Sequence, residues 1–193
     1  MPRNLSLTLL LAAVVLLVPA VASPVHGDGE ARASSGGCAY ENTLPRSSTT
    51  LRQSESATLC LVNRERRDRG LRALTPSKAL DRASREYARG MVRHRFFAHV
   101  TPGGGTLTQR IRDSGYLDGA RNHNIGENLA WGSGSWATPR RKVASWMDSP
   151  GHRANILNPR FRHLGVGVST GAPRPTSLLA ATYVTHFGQR AVR

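Results

Sequence analysis

Three short stretches carry residues able to do chemistry: Phe96-Phe97-Ala98-His99, Gly126-Glu127-Asn128 and Ser149-Pro150-Gly151-His152-Arg153-Ala154-Asn155. Each sets a histidine or a carboxylate among glycine, proline or aromatic residues. Imidazole nitrogens are good ligands for zinc or copper, and a carboxylate can complete such a set or act as a general base. Brought together, His99, Glu127 and His152 would form a metal site or an acid–base pair. Kept apart, each histidine is a structural hydrogen-bonder. Spacing alone does not decide, because nothing here has the close pairing of H-E-x-x-H.

The elements around these stretches must do the positioning. Leu59, Leu61 and Val62 lie in a charged stretch that ends at Gly70, which reads as a helix with a glycine stop. Thr75-Pro76 is expected to open a second helix, with threonine at the cap and proline in the first turn. Leu80, Ala83, Tyr87 and Met91 recur at helical spacing, so one face of it is buried. Pro102-Gly103-Gly104-Gly105 is a loop. Thr106 to Gln109 has capping-box spacing and starts a short helix ended by Gly115. Thr138-Pro139 opens a helix through Val143, Trp146 and Met147, stopped by Pro150-Gly151. On this reading His99 follows the second helix and Glu127 sits in a Gly-Glu-Asn turn. His152 lies between a Pro-Gly break and the short segment Ala154-Asn155-Ile156-Leu157. Leu164 to Ser169 and Leu178 to Phe187 read as strands, separated by the turn Gly171 to Pro175. Helices first and strands last imply α+β layers rather than a repeated βαβ unit. There is no internal repeat and no Rossmann or P-loop glycine pattern.

Residues 1–22 read as a secretory signal: Arg3, an apolar run from Leu5 to Val18, Pro19, then Ala20-Val21-Ala22 before a cut at Ser23. The alternative is an uncleaved N-terminal anchor. No later apolar stretch is long enough to cross a membrane. Residues 23–53, rich in Ser, Gly, Pro and Thr, read as a flexible N-terminal arm. Residues 54–190 form the ordered domain. The two cysteines, Cys38 and Cys60, fit one disulfide in an exported chain, closing a loop worth about 3 kcal/mol. Two buried free thiols are the other possibility. The formal charge is +15, and only two of the 27 basic residues, Lys78 and Lys142, are lysines. Such a chain can cling to anionic wall polymers, lipids or nucleic acid by non-specific electrostatics. The arginines are scattered and not interleaved with aromatics, so no specific nucleic-acid site is expected.

Four blocks then add a resemblance. Phe96 to Gly103, Gly126 to Ala130, Trp146 to Leu157 and Phe161 to Gly167, in that order, resemble the bacterial SCP-like branch of the CAP superfamily. That superfamily groups cysteine-rich secretory proteins, antigen five and pathogenesis-related one proteins. The likeness runs from about Ser56 to Gly188. It implies a three-layer α-β-α sandwich with a central groove. In many members two histidines and two glutamates line that groove, and the histidines can hold a divalent metal, often zinc. Carried over, His99 and His152 match the histidines and Glu127 the first glutamate. The second glutamate falls at Ser149, with Asp148 adjacent but aimed elsewhere. His186 would edge the groove, and Asn128 would fix the turn.

Two imidazoles and one carboxylate can still hold zinc, with water completing the shell. The missing carboxylate weakens any hydrolytic scheme. The resemblance therefore implies a secreted, non-enzymatic extracellular binding module for a small lipid, glycan or protein ligand, and its basic charge implies association with anionic wall polymers. Two other readings stay open. One is a metal-assisted hydrolase of peptide, wall or phosphate bonds with Glu127 as base. The other is a structural relic whose histidines fix loops.

Overall fold

The computed structural model describes residues 37–192 together with Met1. The expected signal segment 1–22 and the first part of the expected arm lie outside that range.

A four-stranded sheet runs through the described region in the order β1-β3-β4-β2. Its strands are β1 (Thr75–Pro76), β2 (Ala120–Ser133), β3 (His163–Thr170) and β4 (Ala180–Val192). β1 pairs parallel with β3, while β3–β4 and β4–β2 are antiparallel. Five α-helices accompany it: α1 (Ser48–Arg67), α2 (Lys78–Arg93), α3 (Leu107–Asp113), α4 (Pro139–Asp148) and α5 (Pro150–Ile156).

The side-chain period of two sorts the strands into two faces. On β3, Leu164, Val166 and Val168 join Leu61 and Val62 of α1, Val143 and Trp146 of α4 and Ile156 of α5 in one apolar cluster. The alternate positions are Gly165 and Gly167. A Cβ on Gly165 would stand 2.2 Å from the Leu80 backbone, and one on Gly167 2.1 Å from that of Ser84. Only hydrogen fits there, so α2 lies directly on bare β3 backbone. β4 repeats the division. Ala181, Tyr183 and Phe187 face α1, α4 and α5, and Val184 packs with Tyr87, Ala88 and Met91 of α2. The result is the expected α+β three-layer sandwich.

Local chemistry explains most helix ends. Ser47 and Thr50 form a capping box at α1. The Thr106 side chain accepts from Gln109 N, and Gly115, at φ +75°, follows the end of α3. Three boundaries differ from the sequence expectation. α1 starts at Ser48, inside the 23–53 span, because its cap lies at Ser47 and not near Ser54. Thr75-Pro76 is strand rather than helix cap: Thr75 N donates to Arg162 O at 2.9 Å, and Ser77 caps α2 instead. The expected Gly126-Glu127-Asn128 turn lies inside the long strand β2, held by its ladder to β4. His152 lies within α5, which begins at Pro150 directly after α4.

Two ties hold the helical layer. Cys38 and Cys60 form the disulfide, fastening the segment before α1 to the helix itself. Arg66, fully buried at the end of α1, donates from Nη1 to Ile156 O and Asn158 O and from Nε to Arg72 O. The Ile156 and Asn158 carbonyls are the end of α5 and its exit, so Arg66 sets the position of the helix that carries His152.

Candidate functional site

Glu127 pairs with His186 across β2 and β4, and both point to the α2 face. The Glu127 side chain is only 2% exposed, and three donors fill its oxygens. His99 Nδ1 donates to Oε1 at 2.7 Å. His186 Nε2 and Arg110 Nη2 each donate to Oε2 at 2.8 Å. Burial opposes the charge on Glu127, but the hydrogen bonds from His186 and His99, with the nearby charge of Arg110, outweigh it. The carboxyl is held at about 2.

His186 is completely buried. Burial lowers its pKa despite Glu127. A neutral ring meets both neighbours: Nε2–H donates to Glu127, and Nδ1 lies 2.9 Å from Ser84 Oγ on α2. Arg110, on α3, also donates to His99 O and Gly105 O. Its guanidinium carbon stands 3.5 Å from the Tyr87 ring centroid, a cation–π stack. Tyr87 in turn donates its hydroxyl to Ala98 O. The loop that presents His99 is thus tied to α2 through Tyr87 and to α3 through Arg110.

His99 and His152 differ in setting. The His99 side chain is 59% exposed, and its bond to Glu127 raises its pKa. His152 is half-buried, and its pKa is lowered by burial and then by His99 nearby. Its ring has no hydrogen-bond partner among the described residues. Its main chain is fixed, because Asn128 Nδ2 donates to His152 O at 3.0 Å. Asn155 Nδ2 donates to Asn128 Oδ1 and to Glu127 O. Gly126 makes room for this lacing, since a Cβ there would stand 2.9 Å from Asn155 Oδ1 and 3.0 Å from Phe161. α5 therefore covers the outer edge of β2.

His99, Glu127 and His186 are joined directly, while His152 is linked to His99 only through the electrostatic effect of that ring. Asn128 fixes β2 to α5 rather than a turn. Ser149 is half-buried between α4 and α5, while Asp148 is exposed and has no ion pair among the described residues. No group of three or more His, Cys, Asp or Glu among the described residues is arranged to hold a metal. Away from this cluster, His163 Nδ1 lies 2.8 Å from Tyr116 Oη, and burial lowers the pKa of the ring.

Sequence reasoning missed Arg110 and Ser84. A signal existed for both. Arg110 falls three residues after Leu107 and beside Ile111, on the inward face of α3, and Ser84 four after Leu80 on that of α2. A cavity of ≈ 570 Å³ opens between α2, the 101–103 loop and α3, with Tyr87, Phe96, Pro102 and Arg110 in its walls and Glu86 and Asp113 at exposed positions. It meets the Glu127 cluster through Arg110; His99, Glu127 and His152 are not among its lining residues.

The comparisons agree with this fold. Over 126 residues the chain is 33% identical to the uncharacterized protein YkwD of Bacillus subtilis, covering 65% of this chain and 46% of that protein. The chain spans less than half the length of the curated relatives it matches. Among solved structures, an extracellular protein containing a SCP domain from Bacillus anthracis superposes with TM-score 0.55 at 24% identity, over 74% of this chain and 44% of that one. An outer surface protein from Borrelia burgdorferi superposes with TM-score 0.53 at 24% identity, over 69% of this chain and 90% of that one. The Cysteine-rich secretory protein family, CAP, matches residues 59–186, and the chain belongs to that family.

Proposed function

We propose that this chain is a secreted, non-enzymatic binding module. In it His99 and His152 present imidazoles to a divalent metal such as zinc, and the cavity beside Arg110 and Tyr87 takes a small lipid or glycan ligand. The observation that carries the reading is the set of three hydrogen bonds that Glu127 accepts from His99, His186 and Arg110. A carboxylate with three donors is an orienting group. It fixes the proton of His99 on Nδ1 and leaves Nε2 as the free nitrogen, as carboxylates behind metal-binding histidines do. The His152 ring is likewise uncommitted, and His99 acts on it electrostatically. Two imidazoles fit a zinc ion with other positions left to water or ligand, while Glu127, already accepting three hydrogen bonds, orients His99. Bound zinc would supply a Lewis-acidic centre.

The hydrolase reading asks Glu127 to accept a proton. A carboxyl held at about 2 is a poor base near neutral pH, which favours binding over cleavage. Export is supported by the signal-like segment 1–22, by the disulfide, which suits an oxidising compartment, and by relatives described as extracellular or outer surface proteins. No described helix is long and apolar enough to cross a membrane.

Zinc titration calorimetry on the wild type and a His99→Ala/His152→Ala double variant tests the reading. The wild type should bind zinc and gain thermal stability with it, and the double variant should do neither. Equal zinc binding by both removes the site assignment.

A further inference from the structure

One end of the sheet gathers exposed apolar and basic side chains that the site does not use. A short 3-10 helix, Gly134–Ala137, follows β2 there and carries Trp136. The chain enters β4 at the same end, through Leu178 and Leu179. Ser133 pairs with Ala180, and Gly134 N donates to Leu179 O at 2.7 Å. A Cβ on Gly134 would lie 3.7 Å from Leu178 Cδ1. Trp136 is 57% exposed, Leu178 60% and Leu179 37%. Three large apolar side chains thus stand in water within one stretch of surface, where a monomer would ordinarily scatter them singly.

Cations frame this patch. Arg141 lies 5.0 Å from the Trp136 ring centroid. Arg174 is exposed in the β3–β4 connection, which leaves the sheet at Gly171, and Gly171 packs against Val92 of α2. Exposed Arg93 is the next residue. None of these three arginines has an ion pair among the described residues. Acids are missing from the local sequence: no Asp or Glu stands between Asn128 and Met147, or anywhere from Ser149 to Arg193. Glu41, which reaches this region through Arg140, is already paired with Arg140 and Arg64.

We propose that this end of the sheet, with Trp136, Leu178 and Leu179 ringed by Arg141, Arg174 and Arg93, docks on an anionic lipid surface. A hydrated polyanion would reward the arginines but leave three apolar side chains in water. A lipid interface takes both. The indole and leucines enter the boundary between headgroups and acyl chains, where tryptophan is favoured, and the guanidinium groups meet phosphate. The surface does not overlap the His99–Glu127 cluster, so its test is independent of zinc.

The experiment is co-sedimentation of the full chain, wild type and variants in the same processed form, with vesicles of phosphatidylglycerol mixed into phosphatidylcholine and with phosphatidylcholine alone. Wild type should partition to the anionic vesicles, with a blue shift of tryptophan emission that a Trp136→Phe variant lacks. Trp136→Ala and Leu178→Ser/Leu179→Ser should each weaken partitioning roughly tenfold. Arg141→Glu/Arg174→Glu should weaken it by a similar factor. All these side chains are exposed, and matching thermal melts will confirm that the variants fold. Failure of the wild type to bind anionic vesicles overturns the proposal. So does vesicle binding that Trp136→Ala and the leucine pair leave unchanged. Binding to soluble polyphosphate in place of vesicles, unaltered by Trp136→Ala, assigns the arginines to a soluble polyanion and also overturns it.

Discussion

The two faces of β4 are built from the same strand and follow different rules. Its odd-numbered positions, Ala181, Tyr183 and Phe187, enter a continuous apolar layer with α1, α4 and α5. Phe187 stacks on Phe161, and the Tyr183 hydroxyl donates to Ala137 O. On the other side, Val184 belongs to an apolar cluster, but the next residue on that face, His186, begins a buried polar chain through Glu127 to His99 and Arg110. One face gains stability from area removed from water. The other must satisfy every donor and acceptor it buries, because an unpaired charge there costs more than the pair contributes. A packing face tolerates graded losses, whereas a polar face fails when one partner leaves.

Three substitutions separate these rules. Trp146→Ala acts on the apolar face and should have the largest effect, about 3–5 kcal/mol, since it empties a large buried volume and removes the indole donor to Leu129 O. Glu127→Gln acts on the polar face and should come close, at about 3–5 kcal/mol, although hardly any volume changes. Its amide brings a donor toward groups that already donate and leaves Arg110 and His186 without their anion. Chemical denaturation at several pH values distinguishes the two. The Glu127 carboxyl is lowered from 4.5 to about 2. Its stabilisation is complete above about pH 5 and is lost as pH falls through the folded value. The gap between wild type and Glu127→Gln should therefore narrow on acidification, and the gap for Trp146→Ala should not follow it. A pH-independent Glu127→Gln cost would break the contrast.

Ser84→Ala should be the mildest, about 1 kcal/mol, because it deletes a hydroxyl beside His186 and Gly165 O without removing a charge. A cost near that of Trp146→Ala would mean that the polar chain acts as one cooperative unit.

The sequence made the apolar packing plain on both sides of the sheet. Leu80, Ala83, Tyr87 and Met91 repeat at helical spacing, and Leu164, Val166 and Val168 at strand spacing, and all are buried. The resemblance blocks brought His99, Glu127 and His152 into view. What stayed hidden were polar residues whose partners come from other elements. β2 reads as turn and loop because Arg121, Asn122, His123 and Asn124 look like solvent-facing chain and Gly126-Glu127-Asn128 like a bend. The strand exists because β4 supplies the ladder and α5 and α3 supply partners for its polar side chains. Arg110 looked like one arginine among many. Its place beside Leu107 and Ile111 on a short helix marked it as inward, but nothing local named Glu127 as its target. Thr75-Pro76 fits a helix cap on local chemistry and became strand because Arg162 O, distant in sequence, was there to accept its N–H.

The covered edge of β2 bears on self-association. A strand as long as Ala120–Ser133 with a bare edge would be a template for cross-chain pairing and aggregation. The opposite edge is made safe by shortness, since β1 is only Thr75–Pro76. On β2, Asn155 takes the Glu127 carbonyl that a second molecule would need, and α5 stands in its path. The asparagine that laces the site together is therefore also a guard against polymerisation.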